Sequence, residues 1–299
     1  RDLDVNHRGI LNAMSVDVED YFQVSAFERY VPRHDWPHRP TRVEANVDKI
    51  LSLFDEHEVK GTFFTLGWIA ERFPAMVRRI ASEGHEVASH GWSHVRVTQQ
   101  TPEEVREDVT RTKKMLEDVS GQGILGYRAA SYSVGRDNLW ALEVLRETGH
   151  KYSSSIFPIK HDLYGMPEAP RFAYHPGEGD FIEFPMTTVR IAQRNFPCAG
   201  GGWFRLVPYP GMRWAMRRVN GRDKQPVIFY FHPWEIDPDQ PRVAGLDAKT
   251  SFRHYLNLKR TERRLKCLLN DFHWGRMADL LSSVKAGSDR ASSFSFERT

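Results

Sequence analysis

Ile10-Leu11-Asn12-Ala13-Met14-Ser15-Val16-Asp17-Val18-Glu19-Asp20 is a largely apolar run that closes on acidic residues. Its length and composition predict a buried strand. Carboxylates at the end of such a strand are costly unless they are paired, hydrogen-bonded or bound to a metal. Residues i and i+2 of a strand face one side, so Asp17 and Glu19 are expected to project together. One could ligate a metal while the other takes a proton from water. The alternative is a solvated acidic loop.

Outward from this run, short apolar segments alternate with amphipathic ones. Strands are expected over 61–66, 86–89, 124–128, 181–184 and 227–231. Helices are expected over 43–57, 75–82, from the Thr101-Pro102 start to about residue 119, over 137–148 up to Gly149, and over 212–220 and 260–272. Strand and helix in turn mean parallel βαβ units, and six or seven such units favour an α/β barrel over an open sheet. Chemistry in such barrels sits where strands end. The acidic and histidine motifs fall there, after Val16, Val87, Tyr127 and Phe231.

Composition excludes several classes. The chain has 299 residues, 40% hydrophobic and 27% charged, with a formal charge of +3. That is ordinary for a soluble globular chain with one sizeable core. Arg217-Arg218 and Arg263-Arg264 are too short to track phosphates, so no nucleic-acid partner is expected. No apolar run approaches the length of a membrane span. Cys198 and Cys267 read as free thiols, with a single bridge as the alternative. Arg1-Asp2-Leu3-Asp4 lacks an apolar signal region, which predicts a cytoplasmic protein, or a periplasmic one whose signal was removed. Ser288 to Thr299 is polar and Ser-rich and is expected to be mobile.

Three more motifs carry chemistry. In His90-Gly91-Trp92-Ser93-His94, histidines four residues apart would lie on one face of a helical turn and could share a divalent metal; the bland reading is two surface or capping histidines. In Gly126-Tyr127-Arg128-Ala129-Ala130-Ser131-Tyr132, an Arg at a strand end could grip a carboxylate; the alternative is a surface ion pair. In Phe229-Tyr230-Phe231-His232-Pro233-Trp234-Glu235, a His closing an apolar strand could be a proton donor of tuned pKa; the alternative is a satisfied core histidine. Tyr21, Phe22, Trp92, Tyr132, Trp203, Phe204 and Trp234 lie in or near these motifs. Most of these aromatics are expected in the core. Trp203, after three glycines read as exposed loop, is the best candidate to line a glycan groove.

Taken together and in this order, the motifs resemble the polysaccharide deacetylases of the NodB-homology type, carbohydrate esterase family 4, from about Met14 to Trp234. The stretches 15–24, 154–158, 200–205 and 231–238 are similar to the branch found beside bacterial exopolysaccharide genes that accompany exosortase sorting systems. Residues 255–277 resemble its C-terminal extension. The resemblance implies an irregular (β/α)7-type barrel over 1–240, with a helical extension over 241–299 packed on it. It implies one divalent metal ion, zinc first, with cobalt, nickel or iron also suited, held by His90, His94 and Glu19, with Asp20 as the alternative to Glu19. Asp17 would be the general base, oriented by Arg128, and His232 would protonate the leaving amine. A backbone N–H near Ser131 would hold the oxyanion, with Tyr132 and Trp203 against the sugar. The implied activity is removal of N-acetyl groups from amino sugars of a bacterial polysaccharide. Peptidoglycan or a small cyclic amide is the alternative substrate, and a catalytically silent glycan-binding module is the alternative of another class.

Three positions depart from the family pattern. Asp17 is followed by Val18 rather than a second Asp. Ala130 stands where a Pro is usual. Ser153-Ser154-Ser155 stands where an Asp usually supports the catalytic His, so another group must tune His232.

Overall fold

The computed structural model describes residues 9–284. The expected mobile stretch from Ser288, and the first four residues, lie outside the described residues.

Eight strands form one sheet. Its spine is β1 (Leu11–Val18), β2 (Thr62–Thr65), β3 (Glu86–Ser89), β4 (Gly126–Tyr127), β5 (Tyr152–Ser153) and β6 (Ile182–Glu183), paired parallel in sequence order. A separate antiparallel hairpin, β7 (Thr188–Ile191) and β8 (Arg194–Pro197), follows. β9 (Ile228–Phe231) returns parallel to β1, and β10 (His273–Gly275) pairs with the start of β1. Seven parallel strands in the order β9-β1-β2-β3-β4-β5-β6 thus curl into the expected irregular barrel. The seam between β6 and β9 is partly closed by the chain at Ala199 and Gly200, which lies beside Tyr230. Gly200 has φ +126, and a Cβ there would meet Tyr230 O at 1.8 Å, so only glycine lets the backbones approach.

Helices cover the outside: α1 (Val43–Glu56), α2 (Gly67–Arg72), α3 (Pro74–Ser82), α4 (Pro102–Ser120), α5 (Trp140–Glu147), α6 (Gly201–Leu206), α7 (Tyr209–Arg218), α8 (Ala248–Tyr255) and α9 (Leu258–Asp271). α4 opens on a capping box, in which Thr101 and Glu104 satisfy each other's backbone N–H. None of these helices is long and apolar enough to cross a membrane. Both cysteines are free, Cys198 buried and Cys267 exposed.

The pleat of β1 explains where the polar groups go. Met14, Val16 and Val18 face the outer helices in the largest apolar cluster. The alternate positions face inward: Ala13 joins the interior cluster, while Ser15 and Asp17 hydrogen-bond to Arg128. Both faces are buried, as a parallel barrel strand requires.

Several local expectations need correction. Residues 90–94 form a loop, not a helical turn, and His94 sits at φ +55. The Gly200-Gly201-Gly202 stretch opens a helix rather than an exposed loop. The helix expected over 212–220 begins at Tyr209, since Pro is accommodated in a first turn. The hairpin β7–β8, the short β5 and β10, and the helices α2, α6 and α8 are not marked by the apolar periodicity.

Candidate active site

The site lies at the C-terminal ends of β1, β3, β4 and β9. Glu19 follows β1 directly, and a bond from its N–H to Asp17 O turns the chain there. Its carboxylate meets the loop after β3. That loop is bent by Gly91 at φ +76 and pinned by Asp108 of α4, which accepts the Trp92 N–H at 3.1 Å. Arg33 staples its far end, donating to Ser93 O at 2.7 Å and His94 O at 2.9 Å. These contacts, not a helix, turn both imidazoles to one point.

Glu19, His90 and His94 are buried, and their ligand atoms lie within 4.8 Å of one another. His90 Nδ1 donates to Arg128 O at 2.8 Å, which fixes the tautomer and leaves the Nε2 lone pair free. Burial pushes the His90 pKa down to about 4, so the ring is a neutral ligand at ordinary pH. His94 Nε2 stands 2.9 Å from Glu19 Oε2. That contact lacks hydrogen-bond geometry, and Oε2 is a buried atom without a hydrogen-bond partner among the described residues. Burial opposes charge on Glu19, but the imidazoles of His94 and His232 outweigh it and hold the carboxyl at about 2. An orphaned carboxylate oxygen facing two histidine nitrogens is what a divalent cation would satisfy. Two His and one carboxylate form the donor set of catalytic sites that keep a position open.

Asp20 is engaged elsewhere. Its Oδ2 accepts the backbone N–H of Arg42 at 2.7 Å and of Val43 at 3.1 Å, capping α1, and its Oδ1 accepts the Tyr21 N–H. It lies outside the three-residue group.

Asp17 and His232 flank that group. Arg128 is fully buried over the Phe64 ring and donates to Asp17 Oδ1 at 2.6 Å. It also donates to Ser15 Oγ at 2.8 Å, Ser154 Oγ at 3.1 Å and Ser154 O at 3.2 Å. Asp17 Oδ2 is left facing the site, 3.9 Å from His232 Nε2 and 3.5 Å from the Tyr132 hydroxyl. His232 Nε2 lies 3.4 Å from Glu19 Oε1. Its Nδ1 contacts Glu235 Oε1 at 2.7 Å, and Arg205 Nε holds Glu235 Oε2 at 2.6 Å. Arg205 is anchored in turn on His254 O and Leu256 O.

Burial disfavours the imidazolium of His232, but Glu19, Glu235 and Asp17 reverse this and raise its pKa to about 9. Burial likewise disfavours charge on Glu235, yet Arg205 and His232 hold it at about 2. Glu235 is thus the group that tunes His232, and sequence reasoning missed it. The signal was present as Glu three residues after His in His232-Pro-Trp-Glu235, where its carboxylate also accepts the His232 N–H.

Ser131 and Tyr132 are consecutive left-handed residues, at φ 52 and 50. Such geometry in non-glycine residues costs roughly 1–2 kcal/mol each and is retained where a site needs it. No hydrogen bond from the Ser131 N–H is found among the described residues, while Tyr132 N donates to Ala129 O. Of the candidate aromatics, Tyr21, Phe22, Tyr132, Phe204 and Trp234 are buried, and Trp92 and Trp203 are half-buried.

Residues 35–153 match the family described as polysaccharide deacetylase, and residues 154–282 match a domain of unknown function, DUF3473. β5 meets the boundary between the two matches, and the sheet continues through both. A peptidoglycan-N-acetylglucosamine deacetylase of Bacillus cereus is 34% identical over 103 residues, 31% of this chain and 38% of that protein. A chitooligosaccharide deacetylase of a Bradyrhizobium species is 29% identical over 96 residues, 32% of this chain and 42% of that protein. These alignments therefore span well under two thirds of either relative. A crystal structure of a polysaccharide deacetylase homologue from Mycobacterium smegmatis superposes with a TM-score of 0.60 at 19% identity, covering 93% of both chains, which supports the fold.

Proposed function

We infer, from the polysaccharide deacetylase domain that this chain carries, that the protein is a metal-dependent hydrolase removing N-acetyl groups from amino sugars of a bacterial polysaccharide. The names of its relatives support a polymer of N-acetylglucosamine type. The exopolysaccharide of its own cell is the first natural substrate to test, and peptidoglycan the second. The observation that carries this reading is the orphaned Glu19 Oε2 facing His90 and His94, with a fixed carboxylate on one flank and a paired imidazole on the other.

Glu19, His90 and His94 would hold the ion, which supplies Lewis acidity toward the acyl oxygen and lowers the pKa of water. Arg128 occupies Asp17 Oδ1 and so leaves Oδ2 to take the proton from water. The water oxygen adds to the acyl carbon. The Ser131 N–H is the chain's own donor for the resulting oxyanion. His232, charged below about pH 9, gives its Nε2 proton to the amide nitrogen as the C–N bond breaks. Acetate and a free amine leave. Glu235 accepts the Nδ1 proton of the imidazolium from the far side and so orients the ring with its Nε2 proton toward the site.

The test is acetate release from N-acetylglucosamine oligomers by the wild type and by Asp17→Asn. The reading expects release by the wild type and its near-complete loss in the variant. Equal release by the two proteins would remove Asp17 as the base.

A further inference from the structure

Between Glu183 and Asp223 the chain carries seven arginines and no acidic residue, so this stretch alone has a formal charge of +7 against +3 for the whole chain. It also holds apolar surface that folding leaves uncovered. Of the six large apolar side chains exposed among the described residues, Ile191, Phe196, Leu206 and Trp214 lie in it. Single exposed apolar side chains are ordinary, but four within one acid-free stretch point to a partner. The fold packs α7 against both β7 and α9, which sets these side chains on neighbouring elements. In α7, Met212, Ala215 and Met216 are buried, which leaves Trp214 and Arg217 on the outer face. Trp214 is half exposed, with the Arg218 guanidinium 5.7 Å from its ring. The β7–β8 hairpin turns at Ala192 and Gln193, both left-handed at φ 46 and 65, and pairs Ile191 with Arg194 at its tip. Arg264 of α9 donates to the carbonyls of Phe204, Arg205 and Val207, so the Leu206 corner sits against α9, where Arg260 is exposed one turn before Arg264.

The carboxylates bordering this surface are spent. Asp223 pairs with Arg171 and Asp271 with Arg213, while Arg190, Arg194, Arg217, Arg222 and Arg260 form no ion pair among the described residues. Free guanidiniums interspersed with single apolar tips narrow the partner. A protein interface gathers its apolar side chains in a core depleted of charge. An acidic polysaccharide would meet the guanidiniums and leave the apolar tips unused. An anionic lipid surface meets both. Its phosphates take the guanidiniums, and the tips enter the boundary between headgroups and acyl chains, where tryptophan is favoured.

We propose that the flank formed by α7, the β7–β8 hairpin and the Arg260 edge of α9 is a peripheral docking surface for a membrane leaflet rich in anionic phospholipid. Binding is by charge and shallow insertion, because none of the described helices is long and apolar enough to cross a membrane. Each guanidinium at such a surface contributes about fivefold in affinity, and salt screens that share. No residue of the candidate active site takes part, so the proposal does not rest on the hydrolase reading.

Co-sedimentation of the full chain with vesicles tests this. The protein should bind vesicles of mixed phosphatidylglycerol and phosphatidylcholine and not those of phosphatidylcholine alone; equal binding to both, or to neither, overturns the proposal. Arg217→Gln with Arg222→Gln should weaken binding to the anionic vesicles about thirtyfold, and Trp214→Ser about tenfold. Lys114→Gln on α4, a cation elsewhere on the surface, should leave it unchanged. If Lys114→Gln weakens binding as much as the arginine pair does, net charge and not this flank is responsible. If Trp214→Ser binds vesicles as the wild type does while the protein also binds dextran sulfate as tightly, the surface reads polyanions and not lipid. Either result overturns the proposal. Should Trp214→Ser not fold, Leu206→Ser takes its place with the same outcomes. Acetate release from soluble oligomers should be the same in all of these variants as in the wild type. A fall there would assign the flank to substrate and overturn the lipid reading, whereas absence of release from every protein, with vesicle binding still lost in the variants, would overturn the hydrolase reading alone.

Discussion

The two flanks of the site, Asp17 as the proposed base and His232 as the proposed acid, are built differently. Asp17 and Arg128 belong to barrel strands and their ends, and every hydrogen-bond partner of the Arg128 side chain comes from β1 or from the end of β5. His232 closes β9, but its support runs outward through Glu235 and Arg205 to the backbone at the end of α8. The base side is thus fixed by the rigid centre of the fold. The acid side depends on a chain of ion pairs that ties the His232 imidazole to the C-terminal part of the protein. The first should tolerate almost no change; the second should be tunable.

The largest test of that contrast is Asp17→Asn. Removing the base should lower kcat by about 10²–10⁴, as steady-state acetate release would show, in a protein that still folds but melts at a lower temperature because buried Arg128 loses its counter-ion. Next, Arg128→Met leaves Asp17 as an uncompensated buried charge. It should destabilise the protein by about 3–5 kcal/mol in urea unfolding. A loss under 1 kcal/mol would mean that the barrel centre is not the rigid half.

Glu235→Gln probes the acid side and should cost about tenfold in kcat, the scale of a supporting partner. Its signature is in the pH profile. His232 is charged below about 9, so the donor is present at neutral pH and is lost as pH rises through that value. Removing the Glu235 charge lowers this pKa, and the alkaline limb should move to lower pH. By the same linkage, stability conferred by the charged His232 is complete below its ordinary value of 6.5 and lost as pH rises through about 9. An unmoved limb would break the Glu235 assignment. Ser154→Ala should have the smallest effect, about 1 kcal/mol of stability, because Arg128 keeps its other partners.

Much of the base side was legible. An apolar strand ending in acids, an Arg at a later strand end and a His pair after a short strand place chemistry at the mouth of a barrel. The choice between Glu19 and Asp20 was not readable from alternation, because β1 ends at Val18 and the chain turns through both acids. What separates them is tertiary: Asp20 meets the first turn of α1, which the sequence does not place. Glu235 was overlooked because support for His232 was sought near Tyr152, where the serines instead hold Arg128 and the Ala129 N–H. The loop geometry of the His pair was also out of reach. It rests on Arg33 and Asp108, far off in sequence from the residues they hold. Periodicity likewise failed for β5, whose two residues are too few to display a period.

Glu19, His90 and His94, and not Asp20, are proposed to hold a divalent ion. Metal stoichiometry after zinc loading and desalting tests it most directly, read on the wild type and on Glu19→Ala, His90→Ala and Asp20→Asn. One ion per chain is expected in the wild type and in Asp20→Asn, and loss of that ion in the other two. Retention of the ion by Glu19→Ala and its loss in Asp20→Asn, or a wild type holding no more metal than His90→Ala, would contradict it.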